Sequence, residues 1–305
     1  MIYRRLKIPK EIASDRFFLL KYYTVSHLTL VTLLIGLSIY NGWPQALMSS
    51  FSTALFHMAL ILIVGFASIP LIGLTLLSVF MYAICFGSEI MPDPITAVGF
   101  LLLGIIVGIY SATLMHLSSH NSLSSTAKSR IIGELCALHQ LIGFYGWQIP
   151  HIAHHRSSDV DGEDPHAPGK MGFIQYSSQI KSDVLDALRK AYLETFPCAS
   201  GIASWKSIMI WILTNRVLRT LFWYALLGPK LFVSLFMTSY FAQLLFYVHF
   251  NWSTHKTAEN GEVAIRDLDG GLYYKLVNKF TWGMFYHGTH HKFPELKDPR
   301  TANVI

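Results

Sequence analysis

Residues 22–88 begin with YYTVSHLTLV and end with FMYAICFGS, and they contain no Asp, Glu, Lys or Arg over 67 positions. A helix needs about 20 mostly apolar residues to cross a bilayer, so this stretch has room for about three crossings. The whole chain of 305 residues is 52% hydrophobic and 14% charged, whereas a soluble domain is roughly a quarter charged. The composition therefore predicts an integral membrane protein and excludes an ordinary soluble domain.

Apolar segments elsewhere in the chain raise the predicted number of membrane spans to about six. Four are expected within residues 24–115, and two more form a hairpin within 209–250 that Gly228-Pro229 divides. The first segment has a full spanning length and lacks a small-residue cleavage site, so no signal peptide is expected to be removed. The predicted bounds of the six spans are 24–43, 46–67, 69–86, 95–115, 209–228 and 231–250.

The distribution of positive charge predicts the orientation in the membrane. Residues 1–21 carry six Lys/Arg, whereas Lys230 is the single cation in a predicted outer loop. Cytoplasmic segments are the ones enriched in Lys and Arg, so both termini are expected on the cytoplasmic side. We expect one all-α domain over residues 1–305, a multipass helical bundle with a cytoplasmic helical cap. Its parts are a cytoplasmic N-terminus at 1–21, four spans in 24–115, a cytoplasmic segment at 116–208, the hairpin at 209–250 and the cap at 251–305. The segment at 116–208 is expected to contain an interfacial stretch at 131–147 and an amphipathic helix at 180–192.

Three histidine-rich motifs follow predicted spans or interfacial segments, and all are expected on the cytoplasmic side. Residues 116–120 read HLSSH, residues 151–155 read HIAHH and residues 287–291 read HGTHH. On a helix, imidazoles at positions i, i+3 and i+4 lie on one face and converge. The motifs hold eight of the fourteen histidines: His116, His120, His151, His154, His155, His287, His290 and His291.

Eight imidazoles without a nearby cysteine form a nitrogen-rich set that suits iron, zinc or copper. One ion does not need eight ligands, so the pattern predicts a dinuclear centre with positions left open for water or dioxygen. The other histidines are weaker candidates. His27 and His57 lie in apolar segments and are expected to be packed in the interior, and His139 and His166 are isolated, with roles at the surface or beside the ligands.

A ninth ligand is predicted in residues 249–255, which read HFNWSTH. Asn251 and His255 lie one helical turn apart, and we favour His255 over His249. The series HxxxH, HxxHH, NxxxH and HxxHH, in this order and topology, resembles the membrane fatty acid desaturase and hydroxylase superfamily over about residues 95–300. The sequence DGEDPH at 161–166 and the surroundings of the third motif, FYH before and HKFP after, are most similar to acyl desaturases.

The resemblance implies a centre of two iron ions that activates dioxygen with two external electrons and removes hydrogen from an unactivated C–H bond. Asn251 would act through a metal-bound water. Three acidic residues, Asp159, Asp161 and Asp164, would accept the second ring N–H of a ligand and fix its tautomer, although a solvated acidic loop is an equal alternative. The implied metal ligands are His116, His120, His151, His154, His155, His255, His287, His290 and His291.

The resemblance also implies the partners. The substrate would be a lipid or acyl chain held in an apolar tunnel, for which Trp147, Trp252 and Trp282 are candidate lining residues beside their alternative role as interfacial aromatics. The chain has neither an HPGG segment nor a CxxCG motif, so electrons are expected from a separate donor of the ferredoxin, rubredoxin or cytochrome b5 type with its reductase. No nucleic acid partner is expected.

Two alternatives to an acyl desaturase stay open. A hydroxylase, ketolase or oxidative decarboxylase of a lipid, alkane or carotenoid would use the same metal set. A metal transporter would also be rich in histidine, but transporters hold their ligands near the bilayer midplane, whereas these motifs cap predicted helices. The form of the substrate is open too, since basic residues on the cytoplasmic surface can meet a phosphate-bearing head or anionic lipid. Those basic residues are Lys181, Arg189, Lys190 and Lys206.

Overall fold

The computed structural model describes residues 10–41, 59, 93–160, 163–257 and 263–304. Within these residues the chain is helical apart from one short β-ribbon. The α-helices are α1 Lys10–Ser14, α2 Phe18–Tyr40, α3 Pro94–Ser119, α4 Thr126–His139, α5 Phe144–Arg156, α6 Phe173–Thr195, α7 Trp205–Leu231, α8 Thr238–Thr254, α9 Gly271–Phe280 and α10 His287–Lys292. A π-helix, Phe232–Met237, leads into α8, and the strands are β1 His255–Thr257 and β2 Val263–Ile265.

Three of the described helices are long and apolar enough to cross a membrane, namely Phe18–Tyr40, Val98–Ser119 and Phe232–Thr254. They match three of the six predicted spans, although the first begins six residues earlier than predicted. The predicted spans at 46–67 and 69–86 lie outside the described residues. The predicted span at 209–228 falls within α7, which carries Arg216 and Arg219 and is not among the three. The count of six stays a prediction.

The segments between the predicted spans differ in detail from their predictions. The interfacial stretch at 131–147 is divided between α4 and α5, and the amphipathic helix predicted at 180–192 is the longer α6. A left-handed φ of 69° at Gly228 breaks α7 near its end, where the sequence predicted a hairpin turn. The described residues confirm the predicted helical fold, and one short ribbon was not predicted, in which His255 pairs with Ile265 and Thr257 with Val263.

The helices α3 and α8 pack closely because two glycines of α3 lie at their interface. A Cβ atom at Gly108 would lie 2.3 Å from the carbonyl oxygen of Ser239, and one at Gly104 would lie 3.0 Å from that of Leu235. Small residues four apart allow two membrane helices to approach to backbone contact. This close approach matters for the site, since α3 and α8 both lead into the histidine clusters.

Replacing Gly108 with alanine is expected to destabilise the protein by about 1–3 kcal/mol, because the added methyl group overpacks this interface. The measurement is the midpoint of thermal unfolding in detergent. Gly99→Ala is the matched control on the same helix, since a Cβ atom at Gly99 meets nothing within 4 Å. Equal midpoints for the two variants would contradict the packing argument.

Candidate metal centre

Each histidine motif lies at or near the end of a structural element. In the first motif, His116 is in the last turn of α3 and His120 follows the helix as its C-terminal cap. The second motif forms the last turns of α5, and the third makes up most of the short helix α10. α8 ends at Thr254, so His255 begins the ribbon rather than continuing the helix.

The structure brings all nine predicted ligands into two adjacent groups whose ring nitrogens lie within 4.8 Å of one another in each group. Cluster A contains His116, His120, His151, His155 and His290. Cluster B contains His154, His255, His287 and His291. Every member is buried except His120, which is partly exposed.

The second and third motifs are each shared between the two clusters. The i, i+4 pair His151 and His155 enters cluster A, while His154 enters cluster B. In the third motif His287 and His291, again i and i+4, enter cluster B and His290 enters cluster A. One turn of helix therefore presents ligands to both sites, as a dinuclear centre requires.

The Nε2 atoms of the clusters converge to short distances. The separations are 2.7 Å for His120 and His151, 3.3 Å for His155 and His290, 3.1 Å for His154 and His291, and 3.0 Å for His287 and His291. Two imidazoles bound to one ion at about 2.1 Å, at a right angle to each other, have nitrogens about 3 Å apart. The spacing fits ligands that share an ion.

The hydrogen bonds that His154 and His291 make at Nδ1 favour the tautomers in which the converging Nε2 atoms carry no proton. The Nδ1–H of His154 donates to the Asp164 carboxylate at 2.8 Å. Ser158 donates its hydroxyl proton to the His154 carbonyl, so its Oγ accepts from the Nδ1–H of His291 at 3.0 Å. Both Nε2 atoms are then lone pairs that face each other. This contact is repulsive unless a cation lies between them.

The Nε2 atoms of His255 and His116 also fit a bound metal ion. The Nδ1–H of His255 donates to Asp159 at 3.0 Å, and the buried Nε2 of His255 has no hydrogen-bond partner. The Nε2 of His116 is also buried and unpartnered among the described residues. A buried polar atom without a partner costs about 1–3 kcal/mol, so these lone pairs fit a metal. The nitrogen-only set suits iron, zinc or copper.

Two of the three predicted acidic residues accept hydrogen bonds from histidines of cluster B in this way, while Asp161 is outside the described residues. Asp159 reaches His255 from a loop in which its own φ is 61°, a left-handed conformation that aspartate tolerates better than most residues. Burial by itself would raise the pKa of Asp164, but His154 and backbone N–H donors hold it well below its usual value. Both carboxylates are placed to fix ligand tautomers.

Burial, with smaller contributions from neighbouring imidazoles, favours the uncharged form of five of the clustered rings. It lowers the pKa of His120 to about 3 and the pKa values of His151, His155, His290 and His291 well below the usual range. Since a neutral imidazole is the form that binds a metal, protons compete weakly for these nitrogens near neutral pH.

The other described histidines lie outside both clusters. His27 is buried, as predicted for an interior residue, and His57 is not among the described residues. His139 was expected at the surface or beside the ligands, but it is buried, with its ring nitrogens bonded to Ser111 and Ser239. The ring of His166 is buried 4.9 Å from that of His154, in keeping with a place beside the ligands.

A cavity of about 100 Å³ lies beside the clusters. Trp147 and Asn251 line it, and the indole of Trp147 stacks on His151 with ring centroids 4.4 Å apart. The two other predicted lining residues do not line this cavity. Trp252 donates to the carbonyl of Met171, and Trp282 packs edge-on against Tyr110.

Several polar residues of the cavity were not predicted from the sequence. They are Tyr23, Gln140, Arg216, Tyr240 and Gln243. For two of them a signal was available, since Tyr240 and Gln243 fall on one face of α8 with Tyr247 and Asn251. The others come from distant elements, and no local pattern marks them.

Comparison with known proteins gives one match. The sequence model of a family described as Fatty acid desaturase matches residues 92–302. No curated protein and no solved structure matches the chain.

Proposed function

The chain belongs to the fatty acid desaturase family, and from this premise we propose that it is a dioxygen-dependent di-iron desaturase that introduces a carbon-carbon double bond into a lipid acyl chain. Membership makes the protein a membrane oxidoreductase of the desaturase or hydroxylase type. The observation that supports the finer assignment is the pair of histidine clusters, in which ring nitrogens converge to within 4.8 Å of one another and the buried Nε2 atoms of His116 and His255 have no hydrogen-bond partner among the described residues.

Cluster A and cluster B would each hold one iron ion. When bound, the two ions supply the activation of dioxygen. The overall reaction consumes one acyl chain, one dioxygen, two electrons and two protons, and it yields one alkene and two waters. The chain's own residues do the rest: Asp164 and Asp159 hold His154 and His255 in the tautomers that expose Nε2, and the buried wall of the cavity keeps bulk water from the acyl chain.

Asn251 would act through a water rather than as a direct ligand. Its Nδ2 donates to the Tyr247 carbonyl at 3.1 Å, which leaves Oδ1 as an acceptor. Asn251 lines the cavity and precedes His255 by four residues, so a water that it holds would lie between the acyl chain and cluster B.

The electrons would come from a separate donor of the ferredoxin, rubredoxin or cytochrome b5 type.

The proposal includes a topology of six membrane spans, with both termini and the histidine motifs on the cytoplasmic side. It is supported by the positive charge of residues 1–21 and by the place of His116 at the end of a spanning helix. A cytoplasmic site would be accessible to a soluble or peripheral donor.

Cells that express the protein are expected to contain acyl chains lighter by two hydrogens than those of cells expressing His154→Ala at equal level. Mass spectrometry of total lipids and free fatty acids measures this difference. A product heavier by one oxygen would overturn desaturation in favour of hydroxylation, while a chain shortened by loss of carbon dioxide would favour oxidative decarboxylation.

A further inference from the structure

The cavity beside the clusters follows one face of α8. Tyr240, Gln243, Tyr247 and Asn251 all line it, and Tyr240 and Asn251 are eleven residues apart, which is close to three full turns of helix. Eleven residues rise about 16.5 Å along the axis. The cavity therefore extends from Asn251, which precedes His255 of cluster B by four residues, to a second end at Tyr240.

The end at Tyr240 is lined by two cationic side chains. The Nζ of Lys181 lies 3.4 Å from the Tyr240 hydroxyl and 5.6 Å from the centroid of its ring. Arg216 also lines the cavity, and its Nε donates to the Leu141 carbonyl at 3.2 Å. Within the described residues its two terminal nitrogens are then available to a ligand. Both cations border a cavity whose wall is otherwise mainly apolar.

The two ends also differ in their access to solvent. Asn251, Trp147 and His166 are buried at the histidine end, whereas Lys181 and Arg216 are partly exposed. Burial and the nearby Arg216 lower the pKa of Lys181 well below its usual value. A bound anion would offset both effects, because it neutralises two like charges held close together.

Other basic residues do not share this position. The sequence left four lysines and arginines open as contacts for a head group, and of these Lys181 alone lines the cavity. Arg189, Lys190 and Lys206 are exposed and do not line it.

We propose that Lys181 and Arg216 bind the anionic head of the substrate at the end of the cavity remote from the histidines. The shared chemistry is an anionic oxygen group, which a free carboxylate or the phosphate of a carrier thioester would both supply. The proposal rests on the proposed function, since it assigns the acyl chain to the space between this end and cluster B. For a free carboxylate, the separation of about 16.5 Å along α8 then selects long chains and helps to set which carbon reacts. For a carrier thioester, the pantetheine arm between the phosphate and the acyl carbonyl would take up part of this length.

The test is a binding experiment without turnover, on purified protein with its metal, in nanodiscs of zwitterionic phosphatidylcholine, without dioxygen or electron donor. Competition against a fluorescent fatty-acid probe gives the Kd of palmitate, hexadecanol and palmitoyl-CoA. We expect an anionic ligand to bind at least about tenfold more tightly than hexadecanol, as one or two charge-assisted hydrogen bonds allow. Lys181→Met and Arg216→Gln should each raise the Kd of the anionic ligand about tenfold. The Kd of hexadecanol should stay within about threefold of the wild-type value.

The control variants Lys206→Met and Arg189→Gln remove the same charges from the same two helices outside the cavity, and they should bind all three ligands as the wild type does. If the variants weaken palmitate, the anion is a carboxylate, and if they weaken only palmitoyl-CoA, it is the carrier phosphate. Equal wild-type affinities for all three ligands would overturn the head-group site even if a variant failed to fold. That outcome differs from a failure of the proposed function, in which anions still bind but no double bond forms.

Discussion

His154→Ala is expected to lower turnover by more than about 100-fold, which exceeds the 10–100-fold typical for loss of a group behind a metal ligand. His154 is fully buried, and its Nε2 lies 3.1 Å from that of His291 in cluster B. His290→Ala should have an equal effect through cluster A, where His290 Nε2 lies 3.3 Å from that of His155. On the di-iron proposal, each variant would remove a ligand from a different ion.

The iron content of each variant distinguishes the loss of a metal ligand from general damage to the fold. Wild-type protein should contain about two irons per chain, and each variant should lose iron, since the remaining ligands bind it more weakly. Membrane insertion should be unchanged, because it depends on the apolar spans. Stoichiometric zinc without iron in active protein would exclude the di-iron proposal, and full iron content in His154→Ala would exclude His154 as a ligand.

His255→Ala should cost both metal and activity, whereas Asn251→Ala should cost activity by about 10–100-fold with less loss of metal. His255 is fully buried, its Nδ1 is bonded to Asp159, and its Nε2 has no hydrogen-bond partner. Asn251 has its Nδ2 committed to the Tyr247 carbonyl, so it would contribute through water. Activity assays with parallel iron determination on both variants measure the difference.

His249→Ala is the matched control in the same seven residues. The ring of His249 packs near Tyr273, Tyr274 and Phe285, outside both clusters. Two residues before Asn251, it points about 160° away around the helix. This variant should keep most of its activity and iron. Loss of iron in His249→Ala, with retention in His255→Ala, would show that the ninth ligand had been wrongly chosen.

The class of the protein was readable from sequence because it depends on composition and on local spacing. A charge-free run over residues 22–88 predicts membrane spans. Histidines at i, i+3 and i+4 predict one helical face whatever that helix packs against. The family model that matches residues 92–302 confirms the resemblance drawn from these motifs.

The local pattern predicted that nine histidines would converge, but it could not say how they divide. The division of residues 151–155 between two clusters depends on where α3, α8 and α10 meet α5. Local spacing also could not place His255, which was predicted on a helix but begins a strand. α8 ends at Thr254, and His255 is held in the ribbon by its pairing with Ile265.

Tertiary structure alone decided the partners of the ligands and the shape of the cavity. Asp159 and His255 are 96 residues apart, and no periodicity relates them. Lys181, Arg216 and Tyr240 lie on three different helices, and they line one cavity because α6 packs against both α7 and α8. Local spacing determines which face of a helix a side chain occupies, whereas the packing of distant segments determines what that face meets.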